Sequence, residues 1–125
     1  MSEPSSVILN KRIKFALLKP VAKEEFIEKI VEFINGIANF LSDNGCEKIG
    51  HINFIATTDG EDYLQINITE CDESPKVKDL LRKKFSKINA ILNVIEFGVK
   101  KEYIDNKINE EIENIKAYFN LDNKT

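Results

Sequence analysis

The sequence predicts an α+β fold, a ferredoxin-like βαββαβ plait with an additional C-terminal helix. Three observations carry this. A long segment near the N-terminus has a wide apolar helical face. A central pair of alternating segments agrees in parity across a turn. The whole chain orders as β-α-β-β-α-β-α, whose first six elements are two βαβ units joined by a hairpin.

The first strand is read at Arg12 to Leu18, where Ile13, Phe15 and Leu17 alternate with Arg12, Lys14 and Ala16, the period of a strand. Pro20 is expected to close it. Lys23 to Asn44 is the clearest helix. At 100° per residue, Phe26, Ile27, Ile30, Val31, Phe33, Ile34, Ile37, Ala38, Phe40 and Leu41 fill about half of the circumference, and Glu24, Glu25, Glu28, Glu32, Asn39 and Asp43 fill the rest. A face this wide suits a helix lying on a sheet. Glu24 and Glu25 favour its positive first turn, and Asn44-Gly45 is a stop, because glycine enters the left-handed region cheaply.

Ile49 to Thr58 and Asp62 to Cys71 read as a β-hairpin around Asp59-Gly60-Glu61. With Phe54 opposite Ile66, the rows Ile52, Phe54, Ala56 and Leu64, Ile66, Ile68 fall on one face, which fixes the register. Ser74-Pro75 is a helix-start signal, and Val77, Leu80, Leu81 and Phe85 follow at helical spacing. Ile88, Ile91, Leu92 and Ile95 would extend that stripe, yet Ile88, Ala90, Leu92 and Val94 also alternate. The β-branched run from Ala90 to Val99 favours a short helix and then a strand. Lys101 to Phe119 closes the order as a helix with Ile104, Ile108, Ile112, Ile115 and Phe119 on one stripe.

A chain of 125 residues, 42% hydrophobic and 31% charged, has the size and composition of one domain. It can bury roughly two thirds of its unfolded surface without a disulfide or metal. Residues 1–10 are read as a flexible N-terminal tail, 11–120 as the domain and 121–125 as a C-terminal tail. Net charge is −3 and the pI about 5.3, which weighs against nucleic acid, whose binding rests on Lys and Arg neutralising phosphates. No apolar run approaches the ~18 residues of a membrane span. The start Met1-Ser2-Glu3-Pro4-Ser5-Ser6 is unlike a signal peptide. The two cysteines, Cys46 and Cys71, are therefore expected to be reduced thiols of a cytoplasmic protein, in which the Asn67-Ile68-Thr69 sequon has no role.

Few residues offer chemistry. His51 is the one histidine, so sites built on several imidazoles are excluded. In the hairpin register it lies opposite Thr69 with Cys71 diagonally beyond, roughly 7 Å away. His51 and Cys71 are candidate metal ligands, or a thiolate–imidazole pair, with Cys46 or the acidic residues Glu70, Asp72 and Glu73 as further ligands. A half-exposed strand histidine beside an unreactive thiol is the plainer reading, since no orienting third group is evident. Asp59-Gly60-Glu61-Asp62 is too short for a calcium loop. Arg82, Lys83, Lys84 and Lys87 form a basic run around Phe85 that can meet phosphate or an acidic partner, or be a solvated helix surface. None of the glycines sits in a phosphate-cradling motif, and there is no GxSxG elbow.

The sheet face turned away from the helices is the most informative feature. It is expected to carry Ile55, Tyr63, Ile91, Ile95 and Phe97 among His51, Asn53, Gln65, Asn67, Asn89 and Asn93. Contiguous exposed apolar area marks an interface, so these five residues are candidates for contact with a protein partner or a second copy in a homo-oligomer. Two alternatives stand beside this: the last helix folds over the face, or the segment around Ile91 to Phe97 is helical.

Two strings carry a family resemblance: Ile49-Gly50-His51-Ile52, after an amphipathic helix, and Leu92-Asn93-Val94-Ile95-Glu96-Phe97-Gly98-Val99, before a charged one. Over about residues 12 to 118 the chain resembles the region following the GTPase domain in CobW-like P-loop metallochaperone proteins. That resemblance implies an accessory domain associated with metal or corrinoid cofactor handling. The P-loop and the family's Cys-rich metal motif are absent, so neither GTP hydrolysis nor that metal site is implied. The sequence thus points to a non-catalytic interaction or assembly module, with a small metal or cofactor carrier using His51 and Cys71 as the alternative and a small enzyme as a third. It identifies no cofactor.

Overall fold

In a computed structural model, described over residues 6–46, 48–58, 61–69 and 74–124, the elements are β1 (Ser6–Ala22), α1 (Lys23–Asp43), β2 (Lys48–Thr57), β3 (Tyr63–Ile68), β4 (Lys76–Asp79), β5 (Lys84–Phe97) and α2 (Lys101–Lys124). The strands form one antiparallel sheet in the order β1-β5-β2-β3-β4. Both helices lie on one face of it, and the α+β class expected from the sequence is what is found.

Burial explains the layering. From Ile88 onward strand β5 alternates, sending Ile88, Ala90, Leu92 and Val94 inward between Ile13 and Phe15 of β1 and Ile52, Phe54 and Ala56 of β2. Helix α1 closes this surface with Phe26, Ile30, Phe33, Ile34, Ile37, Ala38 and Leu41, all buried. It stops where expected: Gly45 has φ +91°, and the Cys46 N–H bonds back to the Leu41 carbonyl at 3.0 Å, leaving a left-handed residue that glycine adopts without a Cβ penalty. Helix α2 packs Ile104, Ile108, Ile115 and Phe119 into the same core, with Ile112 partly buried against it.

The order of elements departs from the expectation between β3 and β5. The segment after Ser74-Pro75 is a strand, β4, rather than a helix, and β5 begins at Lys84. The physical reason lies outside the segment. The outer edge of β3 presents unpaired backbone N–H and C=O groups, and β4 satisfies them from Leu64↔Asp79 to Asn67↔Lys76. The helical stripe also has no core to enter. Val77 is 44% and Leu80 53% exposed, and only Leu81 and Phe85 are buried. The sheet area that a second plait helix would cover is held by α2.

Two boundaries also move. β1 starts at Ser6, pairing Ser6↔Phe97 through Asn10↔Asn93, so half of the expected N-terminal tail is strand. It continues past Pro20 to Ala22 across an irregularity between Ala16 and Val21, where a residue without an N–H is tolerated. At the other end α2 runs to Lys124, into the expected C-terminal tail.

One ion pair locks the β2–β3 connection to the start of β5. Arg82 grips Asp62 with Nε and Nη2, both at 3.2 Å, and with its backbone N–H at 3.1 Å. Thr58 Oγ1 donates to the same carboxylate. Burial alone would raise the Asp62 pKa, but the hydrogen bonds from Arg82 and Thr58 outweigh it and hold the carboxyl well below the usual range. A depressed folded pKa means stability that is present above the unfolded carboxyl pKa and lost as pH falls. Asp62→Asn should therefore lower stability by about 1 kcal/mol at pH 7 and by progressively less below pH ~4. Urea unfolding at both pH values checks this; an equal loss at each would show that the charge is not responsible.

Candidate functional site: the open face of the sheet

The sheet face opposite the helices is built from the outward positions of all five strands, so its composition follows from strand parity and register. Its centre is a row of asparagines. Asn10 of β1, Asn93 of β5, Asn53 of β2 and Asn67 of β3 are successive cross-strand neighbours, with Lys76 of β4 at the end. Asn10 donates to Asn93, and Asn53 to Asn67. Asn53 is only 7% exposed, so a buried polar group is satisfied along the row.

Isoleucines flank the row on both sides. One flank is Ile8, Ile95 and His51; the other is Arg12, Ile91, Ile55, Gln65 and Lys78. Ile8 is 62% exposed, Ile91 39% and Ile55 37%. Beyond them lie Phe97 at one end and Tyr63 at the other, both half-buried. The five residues singled out from the sequence, Ile55, Tyr63, Ile91, Ile95 and Phe97, thus share one face. That face is not covered by α2, which packs on the other side, and residues 90–97 are extended.

The strand residues of this face carry one sign of charge. Arg12, Lys14, Lys76, Lys78 and Lys87 occupy outward positions, and no strand position on this side is Asp or Glu. The Lys78 ammonium sits 5.6 Å from the centre of the Tyr63 ring, and its hydrogen bond with Tyr63 raises its pKa. The helices of the opposite layer are rich in acids, and α1 alone has five acids against two lysines. The basic run noted in the sequence is divided: Arg82 is held by Asp62, the Lys83 carbonyl accepts from the Lys23 N–H at 2.9 Å, Phe85 is in the core, and Lys87 reaches the open face.

No protein-family model matches the chain, and no curated protein matches it. Over 82% of its length its backbone is similar to two crystal structures of the Zn(II)-bound YjiA GTPase. One is of the E. coli protein (TM-score 0.41) and one of a triple mutant (TM-score 0.42), each 14% identical. YjiA is a CobW-family GTPase. The chain spans 29% of the length of those chains.

The proposed metal pair is placed only in part. His51 is half-buried on the open face, just beyond the last paired positions Ile52 and Ile68. Cys71 and the acidic residues Glu70, Asp72 and Glu73 lie outside the described residues. Among the described residues no group of three or more His, Cys, Asp and Glu is placed to hold a metal ion. Also among them, no helix is long and apolar enough to cross a membrane. Gly50 precedes His51 at a break in the β2–β5 register. A Cβ there would stand 3.1 Å from Ile95 Cγ2 and 3.3 Å from the Ile95 carbonyl oxygen, so glycine permits the close approach that seats His51 beside Ile95.

Sequence reasoning missed Ile8 and Asn10, assigned to a tail, although Ile8, Asn10, Arg12 and Lys14 continue a single period of two. It also missed Glu96, which is fully buried on the inner face and accepts the Val99 N–H at 3.0 Å through Oε1.

Proposed function

We propose that this chain is a non-catalytic interaction module that docks a protein partner on the open sheet face, in an assembly role accessory to metal or corrinoid cofactor handling. The observation that carries the docking role is the grouping of outward isoleucines on both sides of the asparagine row, on a face with no helical cover. Water-facing antiparallel sheets ordinarily alternate polar residues outward, and here Ile8 and Ile95 stand on one side of the asparagine row and Ile55 and Ile91 on the other. Exposed apolar area of this kind is retained where something covers it. The asparagine row supplies directional hydrogen bonds between the two sides, giving a partner register as well as burial. The accessory role rests on the resemblance of residues 49–52 and 92–99 to the post-GTPase region of CobW-like proteins.

A photo-crosslinking residue placed at Ile55 or Ile91 in the native host should give a discrete protein adduct, while the same residue at Glu28 or Glu113 on the helical layer should not. The adduct from position 91 should disappear when Ile55 is also changed to Asp, with the circular dichroism spectrum unchanged. Adducts confined to the helical positions, or insensitive to Ile55→Asp, would overturn the reading.

A further inference from the structure

We infer that the occupant of the open face is an acidic protein surface with apolar residues at its centre, and not a second copy of this chain. This deepens the docking role proposed above and rests on it. The argument is charge complementarity. The chain has a net charge of −3, yet Arg12, Lys14, Lys76, Lys78 and Lys87 all project from one side of the sheet with no acidic strand position among them. The cations lie on the two edge strands and toward one end of the face: Arg12 and Lys14 on β1, Lys76 and Lys78 on β4, and Lys87 near the start of β5. A centre of uncharged side chains bordered by charged ones is the anatomy of a protein–protein interface, and the sign of the border selects the partner.

Face-to-face pairing of two copies would set this basic surface against itself, because a two-fold interface uses the same patch on both sides. Like charges brought together that way are a penalty that suppresses the pairing. Single-stranded nucleic acid shares the required negative charge but needs aromatic platforms for its bases. Here the centre is asparagine flanked by isoleucine, and the two aromatic residues, Phe97 and Tyr63, stand at opposite ends of the face.

The basic end is also shaped. A cavity of about 360 Å³ beside Lys87 is lined by Arg82, Lys84, Thr58 and Ser86 together with Pro20 and Phe85. Arg82 and Thr58 are already engaged by Asp62, and the remaining polar lining, Lys84, Lys87 and Ser86, suits a carboxylate side chain that projects from the docked partner.

Selection of binders from a random peptide phage library, with the full chain as bait, tests this without a known partner. The expected winners combine Asp or Glu with Leu, Ile or Phe, and shift the amide resonances of Ile55, Ile91 and Ile95. Their affinity should fall about tenfold or more between roughly 50 and 300 mM NaCl, and about tenfold in a Lys14→Glu, Lys87→Glu double variant, while Lys116→Glu on α2 leaves it unchanged. Neutral or basic peptides on the same residues would overturn the acidic-partner inference and leave the docking role standing. Winners that shift only helical resonances, or no enrichment at all, would overturn both. Tighter binding of an oligothymidylate to this face, or sedimentation of the free protein as a dimer that Ile91→Asp dissolves, would replace the inferred partner with nucleic acid or with a second copy.

Discussion

Phe26→Ala should lower the free energy of unfolding by about 3–5 kcal/mol, read as a lower urea midpoint at an unchanged slope. Phe26 is fully buried and is the hub of an aromatic cluster drawn from four elements. Its ring centre lies 5.4 Å from Phe15 of β1, 5.1 Å from Phe85 of β5 and 5.6 Å from Phe119 of α2. The first two contacts are edge-on, at 88° and 85°, the arrangement that the ring quadrupole favours. Truncation removes the buried area and leaves a cavity walled by three other rings, which cannot collapse without moving a helix off the sheet. A domain of this size is stable by only 5–15 kcal/mol or so, so the loss is a large share of the total. Ile91→Ala on the open face, where the side chain is 39% exposed, should cost less than about 1 kcal/mol. If the two variants unfolded at the same urea concentration, the cluster would not be the centre of the core.

That contrast separates residues that hold the fold from residues free to serve an interface, and much of it is legible in the sequence. The stripe of α1 names its buried residues because periodicity is a local property. The hairpin register, Phe54 opposite Ile66, follows from parity and is found as expected. The uncovered face followed from that parity together with the β-branched run before Gly98. What was not legible depended on distant partners. Ser74-Pro75 and the spacing of Val77, Leu80, Leu81 and Phe85 encode a helix start, and nothing near them reveals the open edge of β3. The pairing of residues 6–10 with the end of β5 is equally non-local, so Ile8 and Asn10 were lost to a tail. With them went one of the four asparagines of the row and the most exposed isoleucine beside it.

Glu96 is a different case, because the signal was present. The parity that sends Ile95 and Phe97 to the open face sends Glu96 inward beside Val94, and a carboxyl at an inward position demands partners. The structure supplies them from the chain ends that meet there. The Val99 N–H, at the turn into α2 where Gly98 has φ +119°, donates to Oε1 at 3.0 Å, and the Cys46 thiol after α1 hydrogen-bonds to the carboxylate. Among the described residues Oε2 has no partner. One buried side chain therefore ties the end of α1, the end of β5 and the approach to α2 together.

The consequence is a pH dependence of opposite sign to that of Asp62. Desolvation raises the Glu96 pKa, and the bonds from Val99 and Cys46 offset it only in part. A raised folded pKa means that the folded chain holds its proton longer than the unfolded chain, so stability falls as pH rises between the two values. Glu96→Gln keeps an acceptor for Val99 without the charge. Its unfolding free energy, relative to the natural chain, should thus increase from the unfolded carboxyl range upward and level off above the folded pKa. Glu96→Ala leaves the Val99 N–H and the Cys46 thiol without their acceptor and should be destabilised by about 1–3 kcal/mol. Urea midpoints for the three proteins between pH 4 and pH 8 decide the matter. Parallel profiles for the natural chain and Glu96→Gln would mean that Glu96 takes up no extra proton on folding, and that its burial is fully compensated by the two hydrogen bonds at the junction.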